Sequence, residues 1–210
     1  MFYNEESAMA KRSGRPSKGN EENSKEKIIE TTVSIIRKDG ADAVTVREVC
    51  ERSGLSIGTF YHYFRDKDDL MMHFLRETSF DSHELNTPLS DIGGRITELY
   101  MHLINMYMNL GLDFMKSFYS TDNRSLSAYM GEVDGAFDAG TVMARSESEM
   151  SAALRAGYIN ADTDVHLVCA DICTIVKGCV FEWCLGDGNM DMEATLRRII
   201  GLYLQSYITA

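Results

Sequence analysis

Three helix starts crowd between Thr45 and Asp69, and that crowding leaves this stretch few ways to fold. Thr45-Val46-Arg47-Glu48 is a capping box, in which the threonine hydroxyl and the glutamate side chain satisfy each other's orphan backbone donors. The helix it starts ends near Arg52, because Ser53-Gly54-Leu55 turns the chain. Ser56 then caps a third helix running to about Phe64, with Phe60 and Phe64 four residues apart on one side. Asp66-Lys67-Asp68-Asp69 opens a fourth, whose stripe begins with Leu70 and Met71. Helices this short are not stable alone and must pack on a longer neighbour. That neighbour starts at Ser24, carries Ile28/Ile29, Thr32/Val33 and Ile35/Ile36 at helical spacing, and stops at Asp39-Gly40. Two short helices joined by a glycine turn against a preceding helix form the helix-turn-helix plan.

Beyond this head the chain reads as more helix, so an all-α fold is expected. Of only two prolines, Pro88 lies in the polar stretch 84–90 and should interrupt the fourth helix, which places a domain boundary there. The expected organisation is an arm over 1–23, a DNA-binding head with its connecting helix over 24–83, and a helical body over 84–210. Within the body the pattern predicts helices at Asp91–Leu110, Leu112–Ser120, Ser125–Ala156 (broken near Gly131 or Gly140), Asp164–Leu185 and Met192–Ile208.

Several function classes are disfavoured. No apolar run approaches the roughly 20 residues that span a bilayer, and Glu5 and Glu6 follow Met1-Phe2-Tyr3 where a secretory signal wants positive charge, so a cytoplasmic protein without membrane contact is expected. The five cysteines form no C-x-x-C pair and read as core thiols. Cys169, Cys173, Cys179 and Cys184 have only His166 nearby at ligand spacing, so no metal site is expected, although a thiol sensor is a second reading of them. No nucleophile elbow, H-E-x-x-H or phosphate loop appears; no catalytic residue, no cofactor and no enzyme activity are expected.

Charge separates the two halves. Lys11 to Lys67 holds twelve Lys and Arg against nine Asp and Glu, a surplus of three, so the remainder of a chain with net charge −11 carries −14. Such asymmetry suits a nucleic-acid-facing end on a body with another task. On the third helix Phe60 and Phe64 face inward, so Gly58, Thr59, Tyr61 and His62 lie on or flank the opposite side, where they offer close backbone approach, a methyl and hydroxyl, and donors to phosphate or base edges.

From Ser24 to Leu75, on the residues Thr45-Val46-Arg47-Glu48 through Ser56-Ile57-Gly58-Thr59-Phe60-Tyr61-His62-Tyr63-Phe64-Arg65-Asp66-Lys67, the sequence resembles the tetracycline-repressor (TetR) family of transcriptional regulators. The resemblance implies a head that reads double-stranded operator DNA. It puts Thr45, Ser56, Tyr63 and Lys67 at phosphate-touching positions and Arg47 at a base-reaching one, although Arg47 also stands where it would pair with Glu51. Helical angle alone places Ile57 inward, whereas the resemblance places it at the DNA. Arg12 and Arg15, in Arg12-Ser13-Gly14-Arg15-Pro16, resemble a minor-groove arm; a basic tail without specific contact is the other reading.

The body resembles the family in layout. Its Met- and aromatic-rich stretch suits an apolar cavity for a small-molecule effector, with Tyr100, Leu103, Ile104, Tyr107, Phe114, Phe118, Tyr129, Phe137 and Ile175 as candidate lining and Asp171 as the polar member. By resemblance the last two long helices form a homodimer, with Gly178 allowing close approach, and a small molecule releases a repressor from a pseudo-palindromic operator. The alternative is a TetR-fold adaptor or coactivator that binds protein and not DNA; its sign would be loss of Arg47, Thr59, Tyr61, His62 and Lys67, all of which are present.

Overall fold

The apolar stripe of the first helix is wide enough to organise the whole head. A computed structural model describes residues 18–76, 80–119, 126, 129–130 and 132–209. Helix α1 (Lys18–Asp39) buries Ile28, Ile35 and Ile36, and between them Thr32, whose hydroxyl donates to the Ile28 carbonyl at 2.8 Å. Helices α2 (Val46–Ser53) and α3 (Ile57–Tyr63) pack on α1 and on each other, contributing Val49, Cys50 and Phe60, with Phe64 beyond the end of α3. Gly54 makes the turn with φ +67°, a left-handed conformation that side chains resist. Helix α4 (Lys67–Arg76) adds Leu70, Met71 and Met72.

The first helix begins at Lys18, six residues ahead of the expected start, so residues 18–23 are helical and not part of an arm. Once the buried stripe has nucleated a helix, extending it by a proline-free turn and a half costs little. Arg12, Arg15 and the rest of the expected arm lie outside the described residues.

In the body, α5 (Ile92–Met108) is buried on most sides by α6 (Leu112–Phe118), α7 (Val142–Arg155) and α9 (Met192–Leu204), while α8 (Val165–Leu185) packs on α6, α7 and α9. The α5–α9 crossing is close: a Cβ at Gly93 would lie 3.8 Å from the Gly201 Cα. Head meets body where α6 packs on the 3-10 turn Ala41–Ala43 that follows α1.

Two boundaries differ from expectation. The helix expected over 125–156 is broken before Val142, in the region of the expected break near Gly131 or Gly140, but by a pair of strands. A two-stranded hairpin, β1 (Glu132–Val133) with β2 (Ala136–Phe137), precedes α7, and Gly135 and Gly140 have φ of +77° and +78°. Four glycines and aspartates from Asp134 to Gly140 favour turns over helix. At the C-terminus α9 stops at Leu204 and not Ile208, because the chain pairs instead with the α7–α8 connection: Ile208 bridges Ile159, and the Asn160 amide donates to the Tyr207 carbonyl at 2.8 Å.

Candidate functional site

Caps fix the face that the head presents. The Thr45 hydroxyl accepts from the Glu48 amide at 3.1 Å and starts α2, while the Ser56 hydroxyl accepts from the Thr59 amide at 3.0 Å and starts α3. With Phe60 fully buried, the opposite face of α3 is turned to solvent: Ser56, Gly58, Tyr61 and His62 are exposed and Thr59 is half-buried. Ile57 is 53% exposed, so it is not turned inward as helical angle alone places it. The His62 ring packs edge-on against Tyr63, 4.9 Å between centroids. Tyr63 and Lys67 are half-buried at the end of α3 and the start of α4.

Two arginines of α2 have different tasks. Arg52 bonds both Glu48 and Asp39 at 2.6 Å and ties α2 to α1. Arg47, exposed, holds Glu51 at 2.8 Å, one turn away, in a solvent-screened pair that contributes little to stability. The acidic residues beside α3 are engaged locally: the Asp66 carboxylate accepts from the Asp69 amide at 2.8 Å, and the buried Asp69 carboxylate accepts from the Arg65 amide at 3.0 Å. Both carboxylates thus serve as acceptors for backbone amides at the start of α4.

The body buries or half-buries most of the residues expected to line a cavity. Tyr100, Leu103, Ile104 and Tyr107 are buried along α5, and Tyr107 stacks with Phe118 at 5.1 Å and Phe114 at 5.9 Å. Tyr129 is half-buried; burial raises the Tyr107 phenol, with Tyr119 and Tyr129 adding to it. Ile175 is half-buried; Phe137 packs on His166, whose ring meets Glu147 at 3.0 Å. Asp171 lies elsewhere: it is exposed, and its carboxylate accepts from the Tyr203 hydroxyl at 2.7 Å across α8 and α9. Sequence reasoning missed Ser146, fully buried on the inner face of α7 with Val142, Met143, Met150 and Ala153. Their spacing was legible, but the misplaced helix boundary hid the face.

The thiols do not form a reactive site. All five are buried, and burial, with Glu147 and Cys173 adding to it, pushes the Cys169 thiol up to about 12. Burial likewise raises Cys173, with Lys177 and Tyr100 opposing it. Among the described residues no group of three His, Cys, Asp or Glu is placed to hold a metal, and no helix is long and apolar enough to cross a membrane.

The strap between head and body, residues 80–91, is clamped from below. The buried Glu149 bridges Arg95 at 2.6 Å and Arg145 at 2.8 Å. Arg95 also donates to the Leu85 and Thr87 carbonyls, and Arg145 to those of Phe80, Asp81 and His83. Glu98 receives the Asn86 and Thr87 amides at 2.8 Å each. Burial by itself would raise the Glu98 carboxyl, but those hydrogen bonds outweigh it and hold the group at about 2.

On the far side of the body, α8 exposes Leu167, Asp171, Thr174, Gly178, Phe181 and Leu185, a stripe alternating four and three residues, and Leu202 of α9 is exposed as well. That alternation is the seam spacing of paired helices. Gly178 has open space around it.

Comparison with known proteins agrees with this geometry. The profile described as "Bacterial regulatory proteins, tetR family" matches residues 28–73. The "Fatty acid metabolism regulator protein" of Bacillus subtilis is 22% identical over 189 residues, 83% of this chain and 91% of that protein. The "HTH-type transcriptional repressor KstR" of Mycolicibacterium smegmatis is 37% identical over 51 residues, 24% of this chain and 25% of its own length. The uncharacterised regulator YerO of Bacillus subtilis is 38% identical over 48 residues, so the chain spans 17% of that protein's length. Among solved structures, the Thermus thermophilus repressor FadR in complex with lauroyl-CoA has a TM-score of 0.59 at 12% identity, covering 89% of this chain and 96% of that one. FadR from Bacillus halodurans has a TM-score of 0.52 at 17% identity, covering 87% and 95%.

Proposed function

This chain belongs, through its N-terminal head, to the tetR family of bacterial regulatory proteins, and from that premise we propose that it is a homodimeric repressor released from operator DNA by a small apolar effector. The observation that carries the proposal is the solvent-facing surface of α3: Ile57, Gly58, Tyr61 and His62 exposed opposite a buried Phe60, with capped hydroxyls at both helix starts. A short helix of this kind enters the major groove, and two copies related by a two-fold axis read half-sites about 34–36 Å apart or a multiple of that. Base discrimination falls to Arg47, Thr59, Tyr61 and His62, and phosphate contact to Thr45, Ser56, Tyr63 and Lys67. Arg12 and Arg15 serve an adjoining minor groove.

The occupant of the α8 stripe is a second copy of the chain. Leu167, Phe181 and Leu185 are too many large apolar groups to leave on one helix face, and Gly178 midway permits close helix contact. The effector enters the apolar interior around Tyr100, Tyr107, Phe114 and Phe118, and the fatty-acid names of the relatives, together with that apolar lining, support a fatty-acyl compound. It releases DNA to the extent that it binds one arrangement of the two heads better than the other.

The test is selection of genomic fragments by the purified protein, followed by binding of the selected sequence at varied salt. His62→Ala should weaken specific binding more than nonspecific binding, and Lys67→Ala should weaken both. Indifference of the wild-type protein to every duplex sequence would refute the proposal.

A further inference from the structure

Among the described residues, four hydroxyls in the body are sealed from solvent without a completed hydrogen bond, those of Tyr100, Tyr107, Ser146 and Thr163, and the first three lie in the helical interior. Native proteins leave few buried polar atoms in that state, since each forfeits its hydrogen bonds to water without a replacement. Tyr100 and Ser146 come from different helices, α5 and α7, yet face each other closely enough to interact electrostatically, with the Cys173 and Cys169 thiols of α8 alongside. Ser146 and Cys173 lie within hydrogen-bonding reach of the phenol, yet neither meets it in the geometry of a completed bond. Tyr107 lies seven residues from Tyr100, two turns or about 10 Å along the same face of α5, where its ring joins the Phe114 and Phe118 stack.

The groups around these hydroxyls carry no net charge at neutral pH. Burial holds the Tyr100 phenol well above its ordinary value and the Cys169 and Cys173 thiols above theirs, so all three stay protonated. Among the described residues, the body buries one ionised side chain, Glu149, and both its oxygens are taken by Arg95 and Arg145. The cation felt at this cluster is the half-buried Lys177, which acts on Cys173; an ionised ligand group beside Tyr100 would give up its hydration for that one partner, a heavy desolvation penalty. A carbonyl oxygen, by contrast, accepts two hydrogen bonds and needs no counter-charge.

We propose that Tyr100 and Ser146 donate together to an uncharged carbonyl oxygen of an elongated acyl ligand, whose chain runs along α5 toward the Tyr107–Phe114–Phe118 stack. The inference rests on the effector-binding reading above and narrows it: the buried end of the effector is a neutral acyl derivative, bound in preference to a free carboxylate. Ser146 and Tyr100 are specificity residues for that carbonyl.

The test is calorimetric titration of the full-length protein without DNA, using lauroyl-CoA, sodium laurate at pH 8 and coenzyme A alone. Lauroyl-CoA should bind, laurate at least about tenfold more weakly, and coenzyme A not at all. Tyr100→Phe and Ser146→Ala should each weaken lauroyl-CoA about five- to tenfold, the loss of one hydrogen bond to a buried acceptor. In the free protein the same substitutions should leave Tm unchanged or raise it, since each removes an unpaired buried hydroxyl. Laurate binding as tightly as the thioester, unaltered affinity in both variants, or no binding of lauroyl-CoA would each overturn the proposal, as would a free-state Tm that falls by several degrees in Tyr100→Phe. Sequence-specific DNA binding measured on the same preparation reports separately on the repressor reading, so either can fail alone.

Discussion

Removing the carboxylate of Glu149 should be the most damaging single change outside the packed apolar core. Its oxygens lie 2.6 Å from Arg95 Nε and 2.8 Å from Arg145 Nε, and the three side chains are 10%, 18% and 19% exposed. In Glu149→Ala two guanidinium groups remain side by side in a site that water reaches poorly, and breaking a buried pair in this way costs about 3–5 kcal/mol. For a chain of this length each kcal/mol lowers Tm by about 2–4 °C, so the expected fall is roughly 6–20 °C. Glu149→Gln should cost less, about 2–3 kcal/mol, because its carbonyl serves one arginine while its amide faces the donors of the other. The measurement is thermal and urea unfolding at one fixed protein concentration, with limited proteolysis across the strap, whose carbonyls at Phe80, Asp81, His83, Leu85 and Thr87 depend on the two arginines. A loss below about 1 kcal/mol, the scale of a solvated ion pair, with the strap still protected, would refute the clamp.

Arg47→Ala should leave Tm within about 1–2 °C of wild type, because its pair with Glu51 is solvated, yet weaken specific operator binding by about 1–3 kcal/mol; equal affinity for operator and random duplex before and after the change would remove Arg47 from the reading face. Phe181→Asp should yield a monomer in sedimentation at micromolar concentration and abolish operator binding, whereas an unchanged dimer would show that α8 pairs through another face. His102 is held below its ordinary value of about 6.5 by burial and by His83, whose ring stacks on it at 3.8 Å. The unfolded chain therefore takes the proton first, so this contribution is complete above about pH 6.5 and declines as pH falls below it. Tm followed from pH 8 to 5 should show that decline, and His102→Phe should flatten it. The thiols should resist iodoacetamide at pH 8 until the protein unfolds; quick native modification of Cys169 would contradict its burial.

The head was legible because its signals are local. Thr45 and Ser56 cap helices three residues away, Gly54 supplies a left-handed turn, and Phe60 and Phe64 define an inside, so the outward face follows from helix geometry. Helical angle and resemblance disagreed over Ile57, and its place at the first turn of α3 leaves it exposed. Asp66 and Asp69 read as a helix start, and the structure shows both carboxylates accepting backbone amides there.

The body was legible in its apolar content and opaque in its polar logic. Tyr100, Leu103, Ile104 and Tyr107 announce a buried face by spacing alone. Asp171 stood out in sequence as a charge among apolar residues, but the helix it belongs to has an outer seam, and nothing in the spacing distinguishes a seam from a cavity. The polar groups that do lie inside depend on long-range pairing: Arg95 meets Glu149 across 54 residues, and Arg145 reaches the strap across 62 to 65. Both arrangements converge on α7. Its Ser146 turns into the interior beside Tyr100, and one residue before and three after, Arg145 and Glu149 grip the strap that leads to α4 and the head. If α7 moves as one helix, a ligand that contacts Ser146 also acts on this clamp, and Glu98, which accepts the Asn86 and Thr87 amides, is the strap's other carboxylate anchor among the described residues.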